Sequence, residues 1–409
     1  MHGAIAGRGK GLAPQRVRGV NRALVLQLLR RFRQLSRADI ARRTALSEGT
    51  VSRIIAELMQ EHLVTEQGVE NSTGGRPGTL LRLDSGHFCA VGAEIQNWET
   101  RVAVGTVEGR AIEVQTLRTP SAPPKALDQV ANAFEIFARK YGPERIEGLG
   151  VAVRGIVNSD TGVIEVGSTP SWSGTRVKEH LQKRLNAPIY VENNIRVAAL
   201  AEYDLGAPEA HSSHSLLFVK VDEGVGMGIV LDGRLHRGPH MAAGEFGQMV
   251  ICDSPGDGRH DRPGCLESLA SNTVICDRYA ELLGTARKGG EETASRARQI
   301  CYLAMQGDEP ARQALVEACR YLGIGIANAV WGLDADMVVI DGIITEAWPL
   351  VSEAIRRQFP TERELSNFHH LVLRPCAFRG DGSLLGALVL PFAHVMTTGQ
   401  RAAGVEAVS

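Results

Sequence analysis

Apolar residues recur at Val20, Leu24, Val25, Leu28, Leu29 and Phe32, the three-and-four spacing of one helix face. Ser36, three residues before Asp39, carries an N-cap signature for a short second helix holding Ile40 and Ala41. Ser47 is the next cap, opening a third helix with Val51, Ile54, Ile55, Leu58 and Met59 turned inward. Two strand-like runs, "HLVTEQG" and "TLLRL", then flank the Gly/Pro-rich "VENSTGGRPG", the pattern of a hairpin with a long tip. The pattern predicts a winged helix-turn-helix over residues 1–84, with 1–16 expected to be unstructured. The second member of a helix-turn-helix presents its N-terminal residues to the major groove. That places Ser47, Glu48, Thr50, Ser52 and Arg53 at base edges or phosphates, with Arg37 of the preceding helix beside them. Arg76, between Gly75 and Pro77 at the tip, suits a narrow minor groove.

Beyond residue 84 the pattern changes. "HFCAVGAEIQNWETRVAVGTVEGRAI" alternates strand-like runs about a turn at Glu108-Gly109, and "HSLLFVKVDEGVGMGIVLDGRLHRG" does so about Asp232-Gly233. Each is followed by mixed helix and strand, which predicts two α/β lobes with antiparallel-edged sheets. The first lobe is expected over 85–205, with 380–395 returning to it, and the second over 206–379. "RQALVEACRYLGIGIANAVWGL" and "LVSEAIRRQF" are expected helices, "MVVID" a buried strand, and "GDGSLLGALVLPF" a Gly-rich helix packed closely on a neighbour.

Composition changes the picture at one point. A chain of 409 residues with 44% hydrophobic and 22% charged positions is that of an ordinary globular protein of two or three domains. Its net charge of −1 argues against a polyanion partner, yet the charge is unevenly placed. Residues 1–83 hold 14 basic and 6 acidic side chains, a net of +8, leaving 31 basic and 40 acidic for the rest, a net of −9. A cationic module on an acidic body points to double-stranded DNA. Seven scattered cysteines suit a reducing cytoplasm, and Cys276, Cys301 and Cys319 fall in helical patterns as small core residues. No membrane-length apolar run or signal-peptide pattern occurs, so a cytoplasmic location is expected.

Six strings along the body, "LGVAVRGIVNSDTGVI", "VENNIRVAALAE", "GVGMGIVLDGRLHRG", "GEFGQ", "GCLESLAS" and "LGIGIANAVWGLDADMVVIDG", carry a resemblance to the ROK family of sugar kinases and sugar-responsive repressors. It extends over roughly residues 17–393, and the repressor branch is the one with an N-terminal winged helix. The resemblance implies an α/β architecture: a winged helix-turn-helix on a two-lobed, actin-like (ribonuclease H-like) body of sugar-kinase type.

Against the family's kinases this chain departs at two places. The acid and Gly-Gly-Thr turn that follow their first strand correspond to "EIQNWET", where Glu94 is kept but Asn97 and Trp98 occupy the turn, a Trp expected to fill space needed by a phosphate. Their catalytic Asp after "EN" corresponds to Asn194, and an amide is no general base near neutral pH. Gly224, Gly226 and Gly228 remain, either as a phosphate cradle or as a tight hairpin. No catalytic residue is therefore expected.

The family's sugar-binding positions correspond to Ser168, Asn193, Asn194, Glu245, Gln248 and Glu267, implying a sugar or sugar derivative as effector. Its His/Cys₃ zinc positions correspond to Gln248, Gly258, His260 and Cys265. Only His260 and Cys265 could bind metal, too few for a structural zinc, so no cofactor is expected. The resulting expectation is a sequence-specific regulator, most simply a repressor. It would bind a pseudo-palindromic operator as a homodimer or tetramer and respond to a sugar. The alternatives are an active sugar kinase with a fused DNA-binding domain, or control by a protein partner.

Overall fold

The computed structural model describes residues 14–69, 78–207, 209–210, 213–253, 263–285, 293–360 and 367–398. It begins with α1 (Pro14–Phe32), β1 (Leu35–Ser36), α2 (Arg37–Thr44), α3 (Glu48–Gln60), β2 (Val64–Val69) and β3 (Thr79–Leu83). The strands form an antiparallel sheet in the order β1-β3-β2, which completes a winged helix. Both caps form: Ser36 and Asp39 make a reciprocal capping box, and the Ser47 hydroxyl accepts the Thr50 amide at 3.3 Å. Ala45, in the left-handed region at φ +56°, turns the chain between α2 and α3. Arg76 and the wing tip lie outside the described residues, as do residues 1–13.

The apolar stripe of α1 is broader than one face because the helix serves two cores. Val25, Leu26 and Leu29 are fully buried against Ile40, Ile55 and Leu58. Leu24 and Leu28 are half-buried on the side that meets the body, whereas Val20 and Phe32 are exposed (57% and 36%). The same hydrophobic cluster includes Phe88, Val107, Phe392, Val395 and Met396 of the body. Gln27 donates to the Met396 carbonyl at 2.8 Å. The winged helix is thus packed onto the body through a continuous core.

The body's first lobe contains β4 (Cys89–Ile95), β5 (Glu99–Thr106), β6 (Ala111–Arg118), α4 (Pro123–Tyr141), β7 (Ile146–Val153), β8 (Gly155–Asn158), β9 (Val163–Gly167), β10 (Thr175–Arg176), α5 (Val177–Gln182), β11 (Ile189–Asn193) and α6 (Asn194–Leu205). Its main sheet has the order β11-β7-β4-β5-β6, with β4, β5 and β6 antiparallel and β7 and β11 parallel to β4.

The second lobe contains β12 (Ser215–Val221), β13 (Val225–Leu231), β14 (Arg234–Leu235), α7 (Glu267–Ala270), α8 (Asn272–Leu282), α9 (Thr293–Met305), α10 (Glu309–Leu333), β15 (Met337–Asp341), α11 (Trp348–Arg356), α12 (Asn367–His370) and β16 (Val372–Pro375). Its sheet, β14-β13-β12-β15-β16, repeats the arrangement of three antiparallel and two parallel strands. The echo between the two sequence halves is therefore a repeat of sheet topology.

The last helix, α13 (Gly382–Thr398), returns to the first lobe and packs on β4, β7 and α6. Gly150 permits this approach, since a Cβ there would run into the Ala387 carbonyl. Cys276, Cys301 and Cys319 are buried in the second lobe's core, where desolvation pushes the Cys301 thiol up to about 12.

Candidate DNA-reading face and ligand cleft

The solvent face of α3 presents Glu48, Ser52 and Arg53, all exposed, while Val51, Ile54, Ile55 and Leu58 hold its other face in the core. Among the described residues Arg53 makes no ion pair, which leaves its guanidinium available to a phosphate or a base edge. Ser47 and Thr50 are engaged with each other, their hydroxyls 2.9 Å apart, and fix the first turn of α3. Arg37 pairs with Glu66 of β2 at 2.8 Å, tying α2 to the wing. Sequence reasoning missed Arg43, whose guanidinium stacks 4.0 Å over the Phe32 ring.

A polar cavity of about 620 Å³ opens between the two lobes, within the size range of ligand pockets. All six sequence-predicted sugar positions line it: Ser168, Asn193, Asn194, Glu245, Gln248 and Glu267. Their availability differs. Asn193 is the N-cap of α6: its Oδ1 accepts the amides of Ile195 (2.9 Å) and Arg196 (3.1 Å), and its Nδ2 donates to the Gly155 carbonyl (2.8 Å). That side chain is committed to starting the helix. Asn194, the first helical residue, has no side-chain hydrogen bond among the described residues. Glu267 accepts the Val225 amide at 3.0 Å and so orients the hairpin beside it.

Burial lifts the Glu245 carboxyl above the ordinary glutamate range, with Arg196 opposing and Glu267 adding to the rise. Sequence reasoning missed Arg154, Lys220, Asp222 and Glu223 in the same lining. Their signal was present in "VRG", inside one recognised string, and in "VKVDEG", at the start of another.

Under the cleft floor Glu192 is fully buried and engaged on both oxygens. It meets Arg196 at 3.1 Å, Arg237 at 2.5 Å and the Ser159 hydroxyl at 2.8 Å. It is a structural anion. Glu94 is likewise buried and paired with Arg101 at 2.5 Å, with Gln96 donating to its other oxygen at 2.8 Å.

The first turn differs from expectation in detail. The Gln96 amide donates to the Glu99 carbonyl at 2.9 Å, closing a tight hairpin with Trp98 at its outer corner, 74% exposed. The Trp98 ring lies largely in solvent. Asn97 and Arg154 both reach Glu223 of the other lobe, each at 3.5 Å. The second Gly-rich element has a packing reason to exist. A Cβ on Gly228 would lie 2.5 Å from Ala199 Cβ and 2.9 Å from the Ile195 carbonyl, and one on Gly226 would strike the Ile195 side chain. These glycines let α6 lie directly on β13.

The family's zinc positions fit poorly by donor chemistry. Gln248 offers an amide and Gly258 no side chain, and Cys265 is 1% exposed. His260 and Gly258 lie outside the described residues.

A winged helix fused through a shared core to two lobes of repeated sheet topology, with a polar cleft between them, defines a DNA-binding module on a sugar-kinase-type body. The chain belongs to the ROK family, whose model matches residues 91–393, and a winged helix-turn-helix DNA-binding model matches residues 22–65. It is 25% identical over 393 residues to a xylose repressor of Caldicellulosiruptor bescii, covering 92% of this chain and 96% of that one. It is 27% identical over 354 residues to the DNA-binding transcriptional dual regulator NagC of Escherichia coli, covering 85% and 86%. Among solved structures, a ROK family transcriptional regulator described as a homolog of the E. coli MLC protein superposes with a TM-score of 0.73 at 23% identity. It covers 94% of this chain and 100% of that one. A ROK hexokinase from Thermus thermophilus gives 0.62 at 27% identity, over 75% of this chain and 99% of that one. Among the described residues no helix is long and apolar enough to cross a membrane.

Proposed function

We propose that this ROK-family chain is a sequence-specific transcriptional regulator, acting as a repressor, whose interlobe cleft binds a sugar or sugar derivative without phosphorylating it. The observation that carries the reading is the position of α6. Its first turn lines the cleft, and its last turn touches the winged helix through an Arg30–Asp204 ion pair at 2.7 Å. A ligand that shifts the start of α6 can thereby bias the α3 face presented to DNA, provided its affinity differs between the two arrangements.

Exposed Glu48, Ser52 and Arg53 read the operator, with Arg37, Ser47 and Thr50 shaping the element that carries them. Asn194, Glu245, Gln248 and Ser168 supply hydroxyl partners, and Asn193 and Glu267 position them. Because helix-turn-helix operators mirror protein symmetry, the working unit is a homodimer on a pseudo-palindromic site, in the cytoplasm. The family's loop zinc has no complete donor set here and plays no part in this reading.

The side chains support a reading without phosphoryl transfer. Asn194 stands where a base is needed, Glu192 and Glu94 are spent in ion pairs, and the first phosphate turn is bridged to Glu223. Loss of a general base alone costs roughly 10²–10⁴-fold.

The test is operator binding by fragments selected from genomic DNA, measured with and without a panel of pentoses, hexoses and amino sugars, alongside a coupled ATP-turnover assay. Affinity that changes with one sugar supports the reading. Unchanged affinity across the panel sinks the sensing claim, and sugar-dependent ATP turnover sinks the non-catalytic one.

A further inference from the structure

One group of metal-ligating side chains comes together outside the cleft, at the junction of the winged helix and the body. It consists of His62, Asp84 and His87, one ligand atom from each lying within 4.8 Å of the others. His62 lies two residues past α3 in a left-handed conformation (φ +58°), its amide donating to the Met59 carbonyl at 3.1 Å. Asp84 follows β3. Its amide donates to the Leu63 carbonyl at 3.0 Å, and its Oδ1 accepts the Gly86 amide at 3.0 Å. His87 leads into β4, where Arg145 of the first lobe holds the His87 carbonyl at 2.9 Å and the Gly86 carbonyl at 2.5 Å.

The two imidazoles stack with centroids 4.0 Å apart and planes 14° from parallel. His87 also sits edge-on to Phe88 at 4.6 Å, and Phe88 belongs to the core shared by winged helix and body. Among the described residues nothing else hydrogen-bonds to either ring or to Asp84 Oδ2. Three donors are thus held close on a braced backbone, with free lone pairs.

We propose that His62, Asp84 and His87 form a site for a borderline divalent transition metal of the zinc class, and that its occupation fixes the end of the recognition helix relative to the body. Two imidazole nitrogens and one carboxylate oxygen, with water completing the shell, form a donor set that zinc accepts and that magnesium or calcium does not favour. Bonds of about 2.0–2.2 Å require the rings to open from the stack. Exposed His62 has the room to swing. Because His62 follows α3 and Asp84 is tied to Leu63, while His87 is held by Arg145 of the first lobe, a bound ion cross-links the two units. Operator affinity then depends on the metal; this second half rests on the proposed DNA-reading function.

The experiment uses the metal-stripped full chain titrated with zinc chloride by calorimetry near neutral pH. The expected result is uptake of one equivalent that is weakened at least tenfold by His62→Gln and by His87→Gln. The His260→Ala/Cys265→Ser variant, which probes the family loop, keeps that uptake. Because His62 is exposed, its Gln variant folds with the native thermal transition, and only the zinc-induced rise in Tm is lost. No uptake, uptake that survives both Gln variants, or uptake removed by His260→Ala/Cys265→Ser overturns the site. Uptake through these residues that leaves affinity for a selected operator unmoved overturns the coupling. A chain that takes up zinc here yet selects no DNA sinks the regulatory reading and leaves the site standing.

Discussion

Arg30 of α1 and Asp204 of α6 form an ion pair at 2.7 Å, with side chains only 6% and 16% exposed. The contact is ionic with poor alignment, leaving Arg30 Nε and Nη2 without a well-directed acceptor among the described residues. Burial lifts the Asp204 carboxyl above its ordinary range, with Arg30 and Arg33 opposing. Removing one partner from a buried pair strands the other charge, at a cost of about 3 kcal/mol, whereas replacing both with apolar groups is nearly neutral. Arg30→Ala is therefore expected to lower the urea midpoint clearly, and Arg30→Met/Asp204→Leu to recover most of the loss. The double variant should still bind the effector while its operator affinity responds less to it. A full response in that variant would show that the signal travels elsewhere, through contacts such as that of α1 with α13.

Arg53 stands on the exposed face of α3 with no ion pair among the described residues. Arg53→Ala is expected to weaken operator binding. If its partner is a phosphate, the slope of log affinity against log salt should fall by about 1; if it is a base, discrimination at one position should relax by about 1–3 kcal/mol. Filter binding at several salt concentrations distinguishes the two. Arg37→Ala is expected to act differently, because Arg37 is paired with Glu66: the wing loosens, and affinity falls without a full unit of slope.

Much of this was legible in the chain because local signals agreed. The two capping serines, the α3 apolar stripe and the paired Glu-Gly and Asp-Gly turns each reflect short-range chemistry that any fold must satisfy. The six cleft positions were legible through the family resemblance. The distribution of work among them was not: that Asn193 caps a helix while Asn194 stays available depends on where α6 begins, which requires the Gly155 carbonyl 38 residues away. Leu26 was missed and Val20 and Phe32 misplaced because α1 packs on two sides, so a single-face periodicity does not describe it. The exposure of Trp98 was not legible for a similar reason, since the hairpin corner that carries it is set by strand pairing.

The Glu245 carboxyl gives the cleft a pH signature. Its affinity for a proton is raised above the ordinary value of 4.5 by burial, and Glu267 adds to this against Arg196. A polyol that donates its hydroxyls to the carboxylate competes with that proton. Effector affinity is thus full above the raised pKa and declines as the pH falls through it, in a window lying above 4.5. Calorimetric titrations of the effector from neutral pH down to 4.5 should show this decline. Glu245→Gln should bind more weakly and without the slope. A wild-type affinity flat across that range would remove Glu245 from direct contact with the ligand.

The glycines of β13 separate a relic of catalysis from a requirement of packing. Were Gly228 kept only to admit a phosphate, Gly228→Ala would leave stability unchanged. In the structure its Cβ would stand 2.5 Å from Ala199 Cβ and 2.9 Å from the Ile195 carbonyl, so α6 must move away from β13. Overpacking of this kind costs about 1–3 kcal/mol. Because α6 also carries Asp204, the displacement should reach the winged helix. The expected outcome is a lower urea midpoint with unchanged m-value, together with altered operator affinity in the absence of effector. Gly224→Ala meets only the flexible end of Glu267, with Oε2 at 2.5 Å, and should cost less stability while weakening effector binding. Equal stability of the Gly228→Ala variant and the wild-type chain would refute the packing account of these residues.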